Sequence, residues 1–213
     1  MKALVGIGNP GPEYEGTRHN LGFLVIEALG RILRVRLDRR EHGSLVGVAQ
    51  AGGEQIFLLK PQTYVNLSGQ AVRSLVKRGL TPGDLMVIVD DLSLPIGSIR
   101  VRPGGSDGGH KGLRSVAEAL SGTGFARLRI GIGAPPPGMD AADYVLEPPP
   151  ADEWKLLAAA IEESARALAV WLRRRDLRML MSAVNKTREP AESAGTEEPS
   201  RGAVVPEEKE DDV

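Results

Sequence analysis

Apolar positions along the chain follow two periods. Lys2 to Ile7 is a nearly continuous apolar run, after which Leu21, Leu24, Val25, Ala28, Leu29, Ile32 and Leu33 recur at helical spacing, predicting a buried strand, a long polar loop and a helix. Leu45 to Ala49 and Gln55 to Lys60 flank Gly52-Gly53, the pattern of a β-hairpin. Ala71, Val72, Leu75 and Val76 form a second helical stripe that stops near Gly79. Leu85 to Val89 is an apolar run closed by Asp90-Asp91; it reads as a strand covered on both faces, with Asp90 at its carboxyl end. Ser98 to Arg102 and Arg127 to Ile132 read as further strands, with a glycine-rich loop from Gly104 to Gly109 and a helix from Lys111 to Leu120 between them. Trp154, Leu157, Ile161, Ala165, Leu168 and Leu172 mark a long C-terminal helix, and Asp176 to Val184 supplies one more. Strands interleaved with helices, plus one hairpin, predict an α/β fold: a mixed sheet with helices on both faces.

Composition changes this picture only at the C-terminus. A chain of 213 residues with 41% hydrophobic content supports one sizeable core. From Thr187 to Val213, however, the chain is rich in Glu, Pro, Ser and Gly and carries nine acids against three bases. So few large apolar side chains cannot offset chain entropy, so residues 187–213 are expected to form a disordered acidic tail behind a single domain over residues 1–186. That domain is then mildly basic, which is compatible with a polyanionic partner and decides little. The absence of cysteine excludes disulfides, thiolate zinc sites and cysteine nucleophiles. With no leader pattern and no apolar run of membrane-spanning length, a cytoplasmic location is expected.

Three polar loops follow strands directly: Gly8 to His19, Pro61 to Asn66, and Asp90 with its followers. Open α/β sheets form their ligand crevice at carboxyl strand ends, so the three are expected to converge. The first gathers Asn9, Tyr14, Arg18 and His19. Gly6-Ile7-Gly8-Asn9-Pro10-Gly11 satisfies the dinucleotide fingerprint in letters, but that motif needs a helix opening within the glycines, and here the helical pattern waits until Leu21. Ser106 sits in a G-x-S-x-G sequence, yet the only later histidine is His110, four residues on, which does not fit a hydrolase triad. A phosphate-binding P-loop fails as well, because His110 stands where lysine is required.

His19 and Asp90 make the most reactive pair the sequence offers. A carboxylate bonded to one imidazole nitrogen fixes the tautomer and stabilises the imidazolium, leaving the other nitrogen to take a proton from water. The plain alternative is that His19 packs against the next helix and Asp90 merely ends a strand. A metal site from His19, His110 and Asp90 lacks any recognised ligand spacing. Asn9 and Asn66 can donate to a carbonyl or oxyanion, or simply close Asx turns. Tyr14 and Tyr64 can stack on a nucleobase or pack at an edge. Arg100, Arg102, Arg127 and Arg129 alternate on two strands, forming either a phosphate clamp or a charged sheet edge.

Taken together, GNPGPEYEGTRHNLGF, KPQTYVNLSG, VDDLSLPIG, GGSDGGHKGL and RLRIGIG, in this order, strongly resemble the bacterial peptidyl-tRNA hydrolases over roughly residues 2–185. The resemblance implies a monomeric three-layer α/β/α domain with a mixed, mostly parallel sheet. It also implies hydrolysis of the ester joining a peptide to the terminal ribose of tRNA, with no cofactor, no metal, and no DNA or membrane partner. By motif position His19 resembles the catalytic base and Asp90 the residue that holds it basic. Asn9 resembles the residue that separates N-blocked from free aminoacyl-tRNA. Tyr14, Tyr64, Asn66 and His110 match substrate-pocket positions, and Arg102 and Arg129 match the two cations that clamp the terminal tRNA phosphate.

Two residues depart from that pattern. Lys111 replaces the family's frequent asparagine, and Val65 its frequent methionine. Lysine donates but cannot accept, so Lys111 is expected to bind phosphate or a substrate carbonyl. A basic residue that the family places after the RLRIGIG strand has no counterpart in Ala134 to Asp140. An RNA-binding module without turnover would be expected to lack the His19 and Asp90 pair, and a serine esterase would depend on Ser106.

Overall fold

The structure, a computed structural model, describes residues 1–41 and 43–185; the expected acidic tail lies outside the described residues. Among the described residues seven strands form one sheet: β1 (Lys2–Gly6), β2 (Arg39–Glu41), β3 (Ser44–Ala51), β4 (Glu54–Pro61), β5 (Leu85–Asp91), β6 (Ile99–Arg102) and β7 (Ala126–Gly131), in the order β2-β3-β4-β1-β5-β7-β6. The four central strands β4, β1, β5 and β7 run parallel and, covered on both faces, carry the apolar runs usual for such strands. The flanks β2-β3-β4 and β7-β6 are antiparallel. The hairpin expected around Gly52-Gly53 forms, with Gln50 opposite Gln55.

Alternation along the strands divides the core in two. Leu4, Met86, Ile88, Leu128 and Ile130 face α1 (Leu21–Leu33), α4 (Ala141–Leu146), α5 (Ala151–Arg174) and α6 (Leu177–Val184). Val5, Leu59, Val87 and Val89 face α2 (Gly69–Val76) and α3 (Lys111–Leu120). This is the three-layer α/β/α arrangement. Two elements carry no apolar period and were not predicted: β2 is three charged residues on the sheet edge, and α4 buries only Tyr144. No helix among the described residues is long and apolar enough to cross a membrane.

One contact places the site. Where α1 crosses β1 and β5, backbone meets backbone: a Cβ on Gly6 would lie 2.1 Å from the Gly22 carbonyl oxygen, and one on Gly22 would lie 2.5 Å from Ile7 and from the Ile88 carbonyl. This approach brings His19, just before α1, down beside the carboxyl end of β5. Because the obstructing atoms are backbone and cannot rotate away, Gly22→Ala is expected to cost about 3 kcal/mol, the upper part of the overpacking range. Urea unfolding with an unchanged m-value and a lower midpoint is the expected reading.

Candidate active site

The three loops converge at the carboxyl ends of β1, β4 and β5 on a cleft of about 730 Å³. Asn9, His19, Tyr64, Asn66, Asp90, His110, Lys111 and Arg129 all line it.

His19 lies in a single 3-10 turn, Arg18–Asn20, held from both sides. Arg18 is buried; its guanidinium stacks 4.1 Å from the Tyr144 ring, donates to the carbonyls of Tyr144 and Glu147, and pairs with Glu153 at 2.9 Å. The same turn is tied to the first loop by Asn20, whose side chain accepts from the Asn9 backbone N–H at 2.8 Å and donates to the Asn9 carbonyl at 3.1 Å. Neither role shows in the sequence, because the partners of Arg18 lie on α4 and α5 and Asn20 reads as an ordinary helix-start residue.

Asp90 is 3% exposed and accepts on a single oxygen, Oδ1, from two imidazoles: His19 Nδ1 at 2.8 Å and His110 Nε2 at 3.2 Å. Burial pushes its carboxyl upward, but the two histidines outweigh burial and hold it well below the usual carboxylate range. It is therefore an acceptor only, and His19 must carry its proton on Nδ1, leaving Nε2 with a lone pair. For His19 the balance is the reverse. Burial and the charge of Lys111 lower its pKa, the Asp90 charge and hydrogen bond raise it, and the net shift is upward from 6.5.

His110 is the N-cap of α3: its Nδ1 accepts from the backbone N–H groups of Gly112 and Leu113. That fixes its proton on Nε2, the atom turned to Asp90. The ligand atoms of His19, Asp90 and His110 lie within 4.8 Å of one another. Yet the nitrogen His110 would offer a metal is the one its cap requires to be protonated, so this donor set fits a hydrogen-bonded relay better than a metal.

Asn9 is oriented by the second loop. Its Oδ1 accepts from the Val65 N–H at 2.9 Å, which leaves the Nδ2 donor toward the cleft. Tyr14 and Tyr64 meet edge to face at 6.4 Å between ring centroids, with Tyr64 56% exposed beside Asn66 at the cleft wall.

The arginine stripe proves to be two kinds of residue. Antiparallel pairing of Arg100 with Arg129 and Arg102 with Arg127 puts all four on one sheet face. Arg127 is 1% exposed and donates to the carbonyls of Gly105, Ser106, Thr123 and Phe125, so it clamps the glycine-rich loop and offers nothing to a ligand. Arg129 spans Asp91 and the Ser106 carbonyl, and Asp91 is held below its ordinary pKa, against burial, by Ser93 and Arg129. Arg100 and Arg102 are exposed on the edge strand, away from the cleft lining. Ser106 is exposed and outside the cleft, and both nitrogens of His110 are engaged elsewhere, so no base serves it. The first loop does not open a helix within its glycines, which rules out the dinucleotide motif.

Residues 3–192 match the family model described as peptidyl-tRNA hydrolase. A peptidyl-tRNA hydrolase of Moorella thermoacetica is 47% identical over 77% of this chain and 87% of its own, and one of Brevibacillus brevis is 41% identical over 84% and 96%. The crystal structure of peptidyl-tRNA hydrolase from Acinetobacter baumannii superposes with a TM-score of 0.81 at 34% identity, covering 87% of this chain and 94% of that one. A peptidyl-tRNA hydrolase in complex with N-propanol gives 0.82, also at 34% identity, over 90% and 97%. With its sheet, its loop motifs and nearly its whole described length shared with these proteins, the chain belongs to the peptidyl-tRNA hydrolase family.

Proposed function

We propose that this chain hydrolyses the ester joining a peptide, or an N-blocked aminoacyl group, to the terminal ribose of tRNA, freeing the tRNA for reuse in translation. The observation that carries the reading is the His19–Asp90 hydrogen bond in a cleft of about 730 Å³. Water is deprotonated by His19 Nε2 as its oxygen attacks the ester carbonyl, while Asp90 stabilises the imidazolium that forms. The same proton then passes from Nε2 to the departing ribose oxygen. The reaction as drawn uses water and side chains alone.

The orientation of Asn9 supports selection of blocked substrates. With Oδ1 taken by Val65, the amide presents a donor. An acylated α-nitrogen brings a carbonyl that accepts from it, whereas a free α-ammonium is itself only a donor. Tyr14 and Tyr64 supply aromatic faces for the terminal base, with Asn66 and His110 completing the pocket. Exposed Arg102 provides a phosphate contact, and Arg129 joins it on displacement from Asp91. Residues 1–186 act as the catalytic unit, as a monomer in the cytoplasm.

The test is release of tRNA from N-acetyl-aminoacyl-tRNA and from the unblocked ester, with and without a chelator. Cleavage of the blocked ester alone, unaffected by the chelator, is expected. Equal cleavage of both esters would remove the role of Asn9, and loss of activity with the chelator would overturn the metal-free mechanism.

A further inference from the structure

We infer that Lys111 is a catalytic residue of this reaction, its ammonium binding the oxygen of the ester carbonyl as that oxygen becomes negative. The inference rests on the hydrolytic reading of the cleft and extends it to the electrophilic half of the chemistry.

Lys111 is the first residue of α3, directly after the His110 cap that fixes the local backbone. Its side chain lines the cleft with His19 and Asn9, and it is exposed. Among the described residues its ammonium makes no ion pair. The neighbouring cations are engaged: Arg129 with Asp91, Arg114 with Asp107 and Arg18 with Glu153. The position is also electrostatically unfavourable. The first turn of a helix carries partial positive charge, which disfavours a cation there, and no acidic residue offsets it in that turn. A residue set against its local field without a compensating contact is where a functional requirement is expected.

The charge sequence across the cleft says what the cation is for. Lys111 lies close enough to His19 to oppose its protonation. In the resting cleft this hinders the base. As water attacks, its proton moves to His19 Nε2, the new C–O bond forms, and the carbonyl π pair moves onto oxygen. The order of charges is then Asp90 negative, His19 positive, oxyanion negative and Lys111 positive, so each neighbour is attractive. The ammonium therefore favours the transition state over the ground state, which is the condition for raising kcat. When the intermediate collapses, the carbonyl re-forms, the bond to the ribose oxygen breaks, and the proton on Nε2 goes to that oxygen. A phosphodiester contact is the competing role. It is disfavoured because the cation neighbours the base, and the base must sit at the ester carbon.

The experiment compares wild type, Lys111→Met and Lys111→Arg on N-acetyl-aminoacyl-tRNA, measuring kcat, tRNA Kd and the salt dependence of Kd. Loss of one oxyanion donor is expected to lower kcat by about 10²- to 10³-fold in Lys111→Met, with Kd and its salt slope unchanged and with partial recovery in Lys111→Arg. Unchanged kcat with weaker binding and a salt slope reduced by about one identifies a phosphate contact and overturns the inference. So does a Lys111→Met enzyme as fast as wild type. A wild type that fails to cleave the ester would instead strike at the hydrolytic reading itself, so the two failures are distinguishable. The melting temperature of Lys111→Met is expected to be at or slightly above that of wild type, because the substitution removes an unfavourable cation from the first turn of α3 and breaks no ion pair among the described residues.

Discussion

Replacing His19 with alanine is expected to lower kcat on N-acetyl-aminoacyl-tRNA by about 10²- to 10⁴-fold, the contribution of a positioned general base. KM should change little, because Nε2 meets the reacting water only as the barrier is crossed. The pH dependence follows from the raised pKa of His19. The working form is the neutral imidazole, so activity should rise with pH through a value above 6.5 and then level off. The stability contributed by the pair has the opposite sense. His19 is protonated more readily in the fold than in the unfolded chain, so its charged pair with Asp90 stabilises fully below 6.5, and this contribution is lost as pH rises through the folded value. Activity is gained over the range in which that stabilisation disappears. A rate profile that falls across this range, or a His19→Ala enzyme of wild-type speed, would remove His19 from the base role.

The second large effect concerns Asp90, and two substitutions separate its charge from its geometry. Both imidazoles bond to the same oxygen. An asparagine placed with its carbonyl oxygen in that position keeps both acceptor contacts and the tautomers they enforce, losing only the negative charge. Asp90→Asn should therefore leave His19 correctly oriented but less basic, costing about 10- to 10³-fold in kcat and moving the rate profile to lower pH, as loss of an adjacent opposite charge does. Asp90→Ala removes the acceptor, freeing His19 to adopt either tautomer and leaving the Nε2–H of His110 unpaired; a loss on the order of 10⁴-fold is expected. If the two variants are equally slow and the Asp90→Asn rate profile moves to lower pH, loss of charge alone accounts for the effect; if they are equally slow and the profile does not move, the amide has failed to hold the tautomer. In the native protein the Asp90 contribution to stability is present above the ordinary carboxylate pKa of 3.8 and is lost as pH falls toward its depressed value.

The local order of the chain was legible because each element carries its own period. The run Leu85 to Val89 buries both faces at the centre of the sheet, and the stripe from Leu21 to Leu33 buries one helical face. Glycines mark the hairpin, and strand ends mark the loops that hold Asn9, Asn66 and Asp90. Residue chemistry likewise singled out His19 and Asp90, 71 positions apart, as a candidate base and carboxylate. Their contact is another matter, since it depends on strand order and on the backbone contact between Gly22 and Ile88, neither of which has a local signal.

The same reason explains what sequence alone left open. Arg102, Arg127 and Arg129 look equivalent along their strands, but Arg127 lies under the glycine-rich loop, Arg129 reaches Asp91 and Arg102 faces water on the edge. Arg18 has its partners more than 120 positions away, and the cap that fixes the tautomer of His110 exists only once α3 has formed. Periodicity and residue chemistry thus determined the elements and the candidate groups. Only the packing of those elements decided which arginines are buried, that His19 keeps a free nitrogen while both of His110 are engaged, and that Lys111 faces the same cleft as His19, because those properties depend on neighbours brought together by the fold rather than by the chain.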